Sequence, residues 1–239
     1  MPRLSDCVVD LRVGINAGSD ELRSYVRNTL SRSPVRALLY DASPHNRYKY
    51  PVMRRMLYDG DNPITATHVM WFDDDSALVC EDAARWWRQV SGQCRLCVQM
   101  GFWRYHRVQL WEVHGVRTRP WYTNRPLVPG KRLPFVLGGW WVADMAALRK
   151  LDYPWPELKH NGGDWSLGVA LYQQHMPIVK FTEGVLNGVA LHDTAVMAPR
   201  RGASLPPIFK DWKEGQPPDM SHQDFELKGE ILSCGGKGA

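Results

Sequence analysis

The run Met70-Trp71-Phe72-Asp73-Asp74-Asp75 constrains this chain more than any other segment, because an apolar stretch ends abruptly in three adjacent carboxylates. His68 to Phe72 is short, bounded and rich in strand-formers, which predicts a buried strand. Three neighbouring carboxylates repel one another, so a fold that keeps them together does so in a solvated turn or around a divalent cation held by oxygen ligands. The strand in front matters to this choice, because ligands of open α/β sheets bind at the carboxyl ends of strands.

The pattern around that run alternates between strand and helix. Cys7 to Ile15 places apolar residues on one face of a strand, and Leu22, Val26 and Leu30 recur at helical spacing behind a Ser19 or Asp20 cap. A second strand is expected over Val35–Tyr40, a basic helix within 47–58, a helix near 81–90 and a strand over 95–101. This order predicts a mostly parallel, βαβ-built sheet. From Phe102 to Pro134 the alternation of Trp103, Tyr105, Val108, Leu110, Trp111 and Val113 predicts an antiparallel ribbon. Short helices are expected over 144–150 and 165–175, a strand near 178–181, and a further segment, Val189 to His192. Beyond Pro199 the chain reads as a loop-rich tail, 199–239.

With 239 residues and 44% hydrophobic content, the chain suffices for one large domain, expected over 1–198 with halves of about 1–100 and 101–198. No apolar run approaches the roughly 18–20 residues of a membrane span, and Met1 to Asp6 lacks the apolar core of a signal peptide. The expectation is a cytoplasmic protein, in a host's cytoplasm if the chain is viral. Five cysteines without a dense framework fit a reducing compartment. Cys94 and Cys97 have C-x-x-C spacing without a second pair, and two packed thiols are the simpler account. A net charge of +5 suggests an anionic partner such as a nucleotide, nucleic acid or acidic membrane. That excess reads as spread along the chain and does not choose among them.

The order of these motifs resembles that of the GT-A glycosyltransferases, particularly the family-2-like branch, which move a sugar from a nucleotide diphosphate to an acceptor. The resemblance covers roughly residues 7–195. Asn16 lies in what looks like the family's opening turn, and Tyr40-Asp41-Ala42-Ser43 is similar to its base-contacting Asp-x-Ser turn. Trp71 to Asp75 resembles its strand-borne Asp-x-Asp, and Gly138-Gly139 its acceptor-side segment. Gly162-Gly163-Asp164 resembles the helix start that supplies the base, and Val189 to His192 the late His of the metal site. Gly163 stands where the family often has Glu, and 102–134 follows no family pattern.

This resemblance implies a GT-A fold, with a Rossmann-like, mostly parallel central sheet flanked by helices and a small antiparallel ribbon. It implies Mn²⁺ or Mg²⁺ as cofactor, with Asp75 ligating directly, Asp73 contacting ribose or a metal-bound water, and His192 as imidazole ligand. Side-chain alternation would point Asp73 and Asp75 together and Asp74 away. Asp164 is the expected general base of an inverting transfer; the simpler role is capping the following helix, and the two are compatible. Asn16, Asp41 and Arg47 are the expected donor contacts beside Asp73, with a UDP-sugar as donor. Lys49, Arg54 and Arg55 either reach phosphates or form a solvated face. Gly139, Trp140 and Trp141 are expected on the acceptor side, the tryptophans as an aromatic platform or as core.

The acceptor class stays open between a saccharide or lipid-linked surface glycan, a protein, and a hydroxymethylated base in DNA, with basic charge and many tryptophans favouring the last. Two readings outside this family use the same residues: a metal-dependent nuclease or phosphotransferase, and a non-catalytic nucleic-acid-binding module.

Overall fold

The computed structural model describes residues 9–74, 76–94, 98–159, 162–181, 185, 187–191 and 221–235. It is a mixed α/β protein whose chain divides into two compact units. One gathers the described residues of 5–66, 154–160 and 217–239; the other gathers those of 67–153 and 161–216.

In the smaller unit, β1 (Asp10–Ile15) and β2 (Arg36–Asp41) run parallel, in register from Asp10↔Arg36 to Ile15↔Asp41. The crossover between them is α1 (Asp20–Leu30). It starts where expected, because the Ser19 side chain accepts from the Leu22 N–H and Asp20 and Glu21 lie in the first turn. Its Leu30 packs with Ile15, Ala37 and Leu39 on one face of the sheet. On the other face lies α2 (Lys49–Leu57), which approaches so closely that a Cβ on Gly14 would stand 2.8 Å from both Val52 and Met56. Burial on both faces explains the unbroken apolar run Ala37-Leu38-Leu39-Tyr40. The third strand, β9 (Glu230–Cys234), is antiparallel to β2 and comes from the expected tail.

The larger unit holds a four-stranded sheet in the order β3 (His68–Phe72), β6 (Arg132–Asp144), β5 (Gln99–Arg107), β7 (Ile178–Lys180). β6 is antiparallel to both neighbours, and β5 and β7 are parallel. β4 (Ser76–Leu78) and β8 (Val189–Leu191) form a separate antiparallel ribbon. The helices of this unit are α3 (Ala83–Cys94), α4 (Leu110–Arg117), α5 (Met145–Leu151) and α6 (Gly163–Gln173). Trp140 is the centre of one core, packed with Trp86, Val142, Phe181 and Val185. It stacks on Phe181 at 5.0 Å, and the Trp86 indole N–H donates to the Val185 carbonyl. On α6, Gly168 lets the helix backbone reach Phe135 of β6, where an added Cβ would meet the Phe135 Cβ at 2.7 Å.

Several expectations are corrected. Among the described residues only β1–β2 and β5–β7 pair in parallel, so neither sheet is mostly parallel. The antiparallel ribbon exists, but β5 and β6 make it. Leu110 and Val113 lie on α4, where Val113 and Val116 are buried at helical spacing. A short apolar run fits both periods, and here the helical one wins. The two units do not follow the expected division near residue 100. Among the described residues no helix is long and apolar enough to cross a membrane.

Trp140 is fully buried, at 0% exposure. Trp140→Ala is therefore expected to lower unfolding stability by about 3–5 kcal/mol, read as a shift of the urea midpoint at unchanged slope.

Candidate functional site

The expected site residues that the structure describes are divided between the two units, and among these residues Asp164 makes no recorded contact with Asp73 or Gly139. In the smaller unit the carboxyl ends of β1 and β2 bring Asn16 and Asp41 onto adjacent turns. The Ala42 N–H donates to the Ile15 carbonyl and the Gly18 N–H to the Ser43 hydroxyl, so the two turns are tied together. Asn16 then reaches the following loop: its amide donates to the Asn46 Oδ1 at 2.9 Å, and its Oδ1 accepts from the Arg47 N–H at 2.7 Å. Both turns hold non-glycine residues at positive φ, Ala17 at 59° and Tyr48 at 64° with ψ 164°. The Tyr48 conformation belongs almost wholly to glycine and persists only where its surroundings impose it. Here the Asn46 side chain does so, accepting from the Tyr48 N–H at 2.9 Å.

Asp41 accepts from the Ser43 N–H at 3.0 Å and from the Arg23 guanidinium at 2.7 Å. Burial pushes its carboxyl up, but the bonds from Arg23 and Ser43 outweigh that and hold it below the usual carboxylate range. It is an anion at neutral pH, and a carboxylate oxygen that accepts one bond has room for a second. Arg47 is less available than expected, because its guanidinium lies over the Phe225 ring at 5.1 Å. Of the other basic residues on α2, Arg54 donates to the Pro154 carbonyl and Arg55 to those of Gln223 and Phe225. These two bind the chain itself.

In the larger unit β3 ends at Phe72, so Asp73 and Asp74 follow the strand and do not continue its alternation. The geometric reason for pointing Asp73 and Asp75 together is thereby removed. Asp73 is instead placed by its neighbours. Its N–H donates to the Gly139 carbonyl at 2.8 Å, and its Oδ1 accepts from the Trp71 indole N–H at 2.6 Å. Ser76 donates through its hydroxyl to that same Gly139 carbonyl at 2.8 Å and through its N–H to the Asp73 carbonyl at 3.1 Å. Gly139, expected on the acceptor side, thus sits directly against the aspartate run. Asp74 is exposed.

Asp75 and His192 lie outside the described residues. Each is the chain neighbour of a paired residue, because β4 and β8 set Ser76 opposite Leu191. Among the described residues no group of three His, Cys, Asp or Glu is arranged to hold a metal.

Asp164 stands in the first turn of α6, half-buried, with its Oδ1 accepting from the Trp165 N–H at 2.8 Å. The helix begins two residues earlier than expected, at Gly163, behind Gly162 in the left-handed region (φ 82°). Trp165 stacks on His106 of β5 at 4.7 Å. Trp140 and Trp141 are 0% and 2% exposed, which corrects the platform reading: neither offers a ring face to a ligand. They fill opposite sides of β6, Trp140 in the core described above and Trp141 stacked on Trp71 at 6.2 Å. Sequence reasoning missed Trp71, Ser76, Arg23 and Asn46 as the residues that orient the candidates. Only Ser43, inside the Asp-x-Ser turn, carried a signal.

Comparison with protein-family models, with curated proteins and with solved structures finds no match.

Proposed function

We propose that this chain is a metal-dependent, inverting glycosyltransferase of GT-A-like fold, moving a sugar from a nucleotide diphosphate to a hydroxyl acceptor. The observation that carries the reading is the convergence at Gly139: one carbonyl anchors both Asp73 and Ser76, at the end of the strand that leads into the aspartate run. Asp73, Asp75 and His192 are the residues that would hold the ion, and two carboxylates with an imidazole would suit Mn²⁺, or Mg²⁺ through the oxygens. Such an ion, when bound, would supply positive charge against the diphosphate leaving group.

The chain's own groups do the rest. Within the smaller unit taken by itself, Asp41, anionic and held by Arg23, is suited to accept a ring N–H of a nucleotide base, and Asn16 fixes the turn beside it. Asp164 takes the proton of the attacking hydroxyl from the face opposite the leaving group, which inverts the anomeric carbon. Asn16 and Asp41 support the donor half by lying at the carboxyl ends of two parallel strands joined by a helix, a position that binds nucleotides in many α/β proteins. The acceptor class we carry forward is a hydroxylated base in DNA, with surface glycan as its rival, and the reaction belongs in the cytoplasm.

The test is a panel of nucleotide sugars with Mn²⁺, assayed for nucleotide diphosphate release in the presence of hydroxymethylated DNA, plain DNA and saccharide acceptors. Metal-dependent release with at least one donor is expected, stimulated by the hydroxymethylated DNA. No metal-dependent turnover or binding of any donor would sink the proposal. Stimulation by saccharide alone would move the acceptor to glycans.

A further inference from the structure

Charge is distributed unevenly along this chain. Ten Arg or Lys residues stand between Ala83 and Ala143 against one acidic residue, Glu112, whereas the whole chain has 30 against 25. The excess that reads as spread is concentrated, and the fold gathers part of it on one surface. β5 and β6 set Arg107 directly opposite Arg132. Both are exposed, and like charges opposed across a ladder repel. Among the described residues neither guanidinium has a carboxylate within ion-pair distance. A pair of this kind weakens the ribbon unless an outside anion neutralises it.

Aromatic rings share that face. Alternation along β5 puts Trp103, Tyr105 and Arg107 on one side, and the cross-strand pairing adds Arg132 to it. Tyr105 is 55% exposed, with the Arg132 guanidinium over its ring at 5.3 Å and Trp103 edge-on at 6.4 Å. The opposite side of β5 carries His106, which α6 covers through Trp165. The side carrying His106 meets α6, and on the other side the end formed by Tyr105, Arg107 and Arg132 is basic and exposed, with Trp103 half-buried behind it.

We propose that this open face of the β5–β6 ribbon binds single-stranded nucleic acid, with Arg107 and Arg132 on phosphates and Tyr105 stacked on a base. Guanidiniums without counter-charge suit a polyanionic backbone, and an exposed ring beside them accepts any base by its π-face. A free anion would use the charges and leave the ring idle. The inference deepens the acceptor part of the reading above without needing sugar transfer, so binding is measured with neither donor nor metal.

The experiment is fluorescence anisotropy with a labelled oligothymidylate. The protein is expected to bind it, with affinity falling as salt rises from about 50 to 200 mM. Arg107→Ala with Arg132→Ala should weaken binding about tenfold or more and flatten the log–log salt slope by about 1.4, two phosphates at about 0.7 each. Because this variant removes a repulsion, its urea midpoint should equal or exceed that of the parent, which separates lost binding from lost fold. Tyr105→Ala should weaken binding roughly 5- to 100-fold with little change in slope.

Absence of binding by the parent at the lowest salt, or a double variant that binds as tightly as the parent, overturns the proposal. So does capture by anionic phosphatidylserine vesicles in place of the oligonucleotide, an arm included because Leu110 and Val128 are exposed aliphatics in the same stretch. Failure here alongside metal-dependent donor turnover would leave the transferase reading standing with a different acceptor.

Discussion

Asp164→Asn is expected to slow sugar transfer by roughly 10²–10⁴-fold while leaving donor binding intact, the usual contribution of a positioned general base. The substitution suits this site because the side-chain oxygen that accepts from the Trp165 N–H is kept. Gly162 and Ser166 hold the start of α6 independently, the Ser166 hydroxyl donating to the Gly162 carbonyl at 2.6 Å. The first turn should therefore survive, and only proton-accepting capacity is lost. The fall should appear in kcat with KM for the donor nearly unchanged, and the near-ultraviolet circular dichroism of Trp165 should match the parent. An Asp164→Asn variant that binds donor and transfers at full rate would leave Asp164 a first-turn hydrogen-bond acceptor and nothing more.

Asp75→Ala should lower metal-dependent transfer by on the order of 10³-fold, because losing a ligand forfeits several kcal/mol of charge stabilisation in the transition state. Asp74→Ala is the informative partner. Asp74 is exposed, and a surface substitution of this kind should stay within about twofold. Titrating Mn²⁺ against diphosphate release, with metal affinity measured separately by calorimetry, separates lost metal from lost fold. Equal damage from the two substitutions would mean that the triplet acts only through its summed charge. Full metal dependence in Asp75→Ala would remove it from the ligand set. Since Asp73 is held by Gly139 and Trp71, neither change should disturb its position.

Local pattern was enough for the elements whose stability is local. Ser19 and the spacing of Leu22, Val26 and Leu30 announce α1, and the apolar run before the aspartates announces β3. Strand direction was not legible, because β6 pairs antiparallel with β3 through contacts more than about sixty positions apart, as Phe72 opposite Trp140 illustrates. Over 108–113 the apolar residues satisfy two periods at once, and burial of Val113 and Val116 decides between them only in the folded chain.

The site divides along the same line. That Asn16 and Asp41 lie on adjacent turns could be anticipated because consecutive strands joined by a helix place their carboxyl ends side by side. The Gly139 carbonyl could not, since a backbone acceptor leaves no mark in the residue types around it. Trp140 and Trp141 misled for a related reason: ring chemistry suits both a ligand face and a core, and only the covering by Trp86, Phe181 and Trp71 distinguishes them.

The strand β9 has a consequence for how the protein is made. Its Ser233 hydroxyl donates to the Ser33 carbonyl across 200 positions of chain. During synthesis β1, α1 and β2 therefore emerge long before the strand that completes their sheet. Until then β2 presents an unpaired edge, the kind of surface that invites pairing with another chain. Closing so long a loop adds only modest entropy but slows folding, because distant partners must find each other. The interval between translating Asp41 and Glu230 is thus the period in which this chain is most exposed to aggregation and most in need of a chaperone.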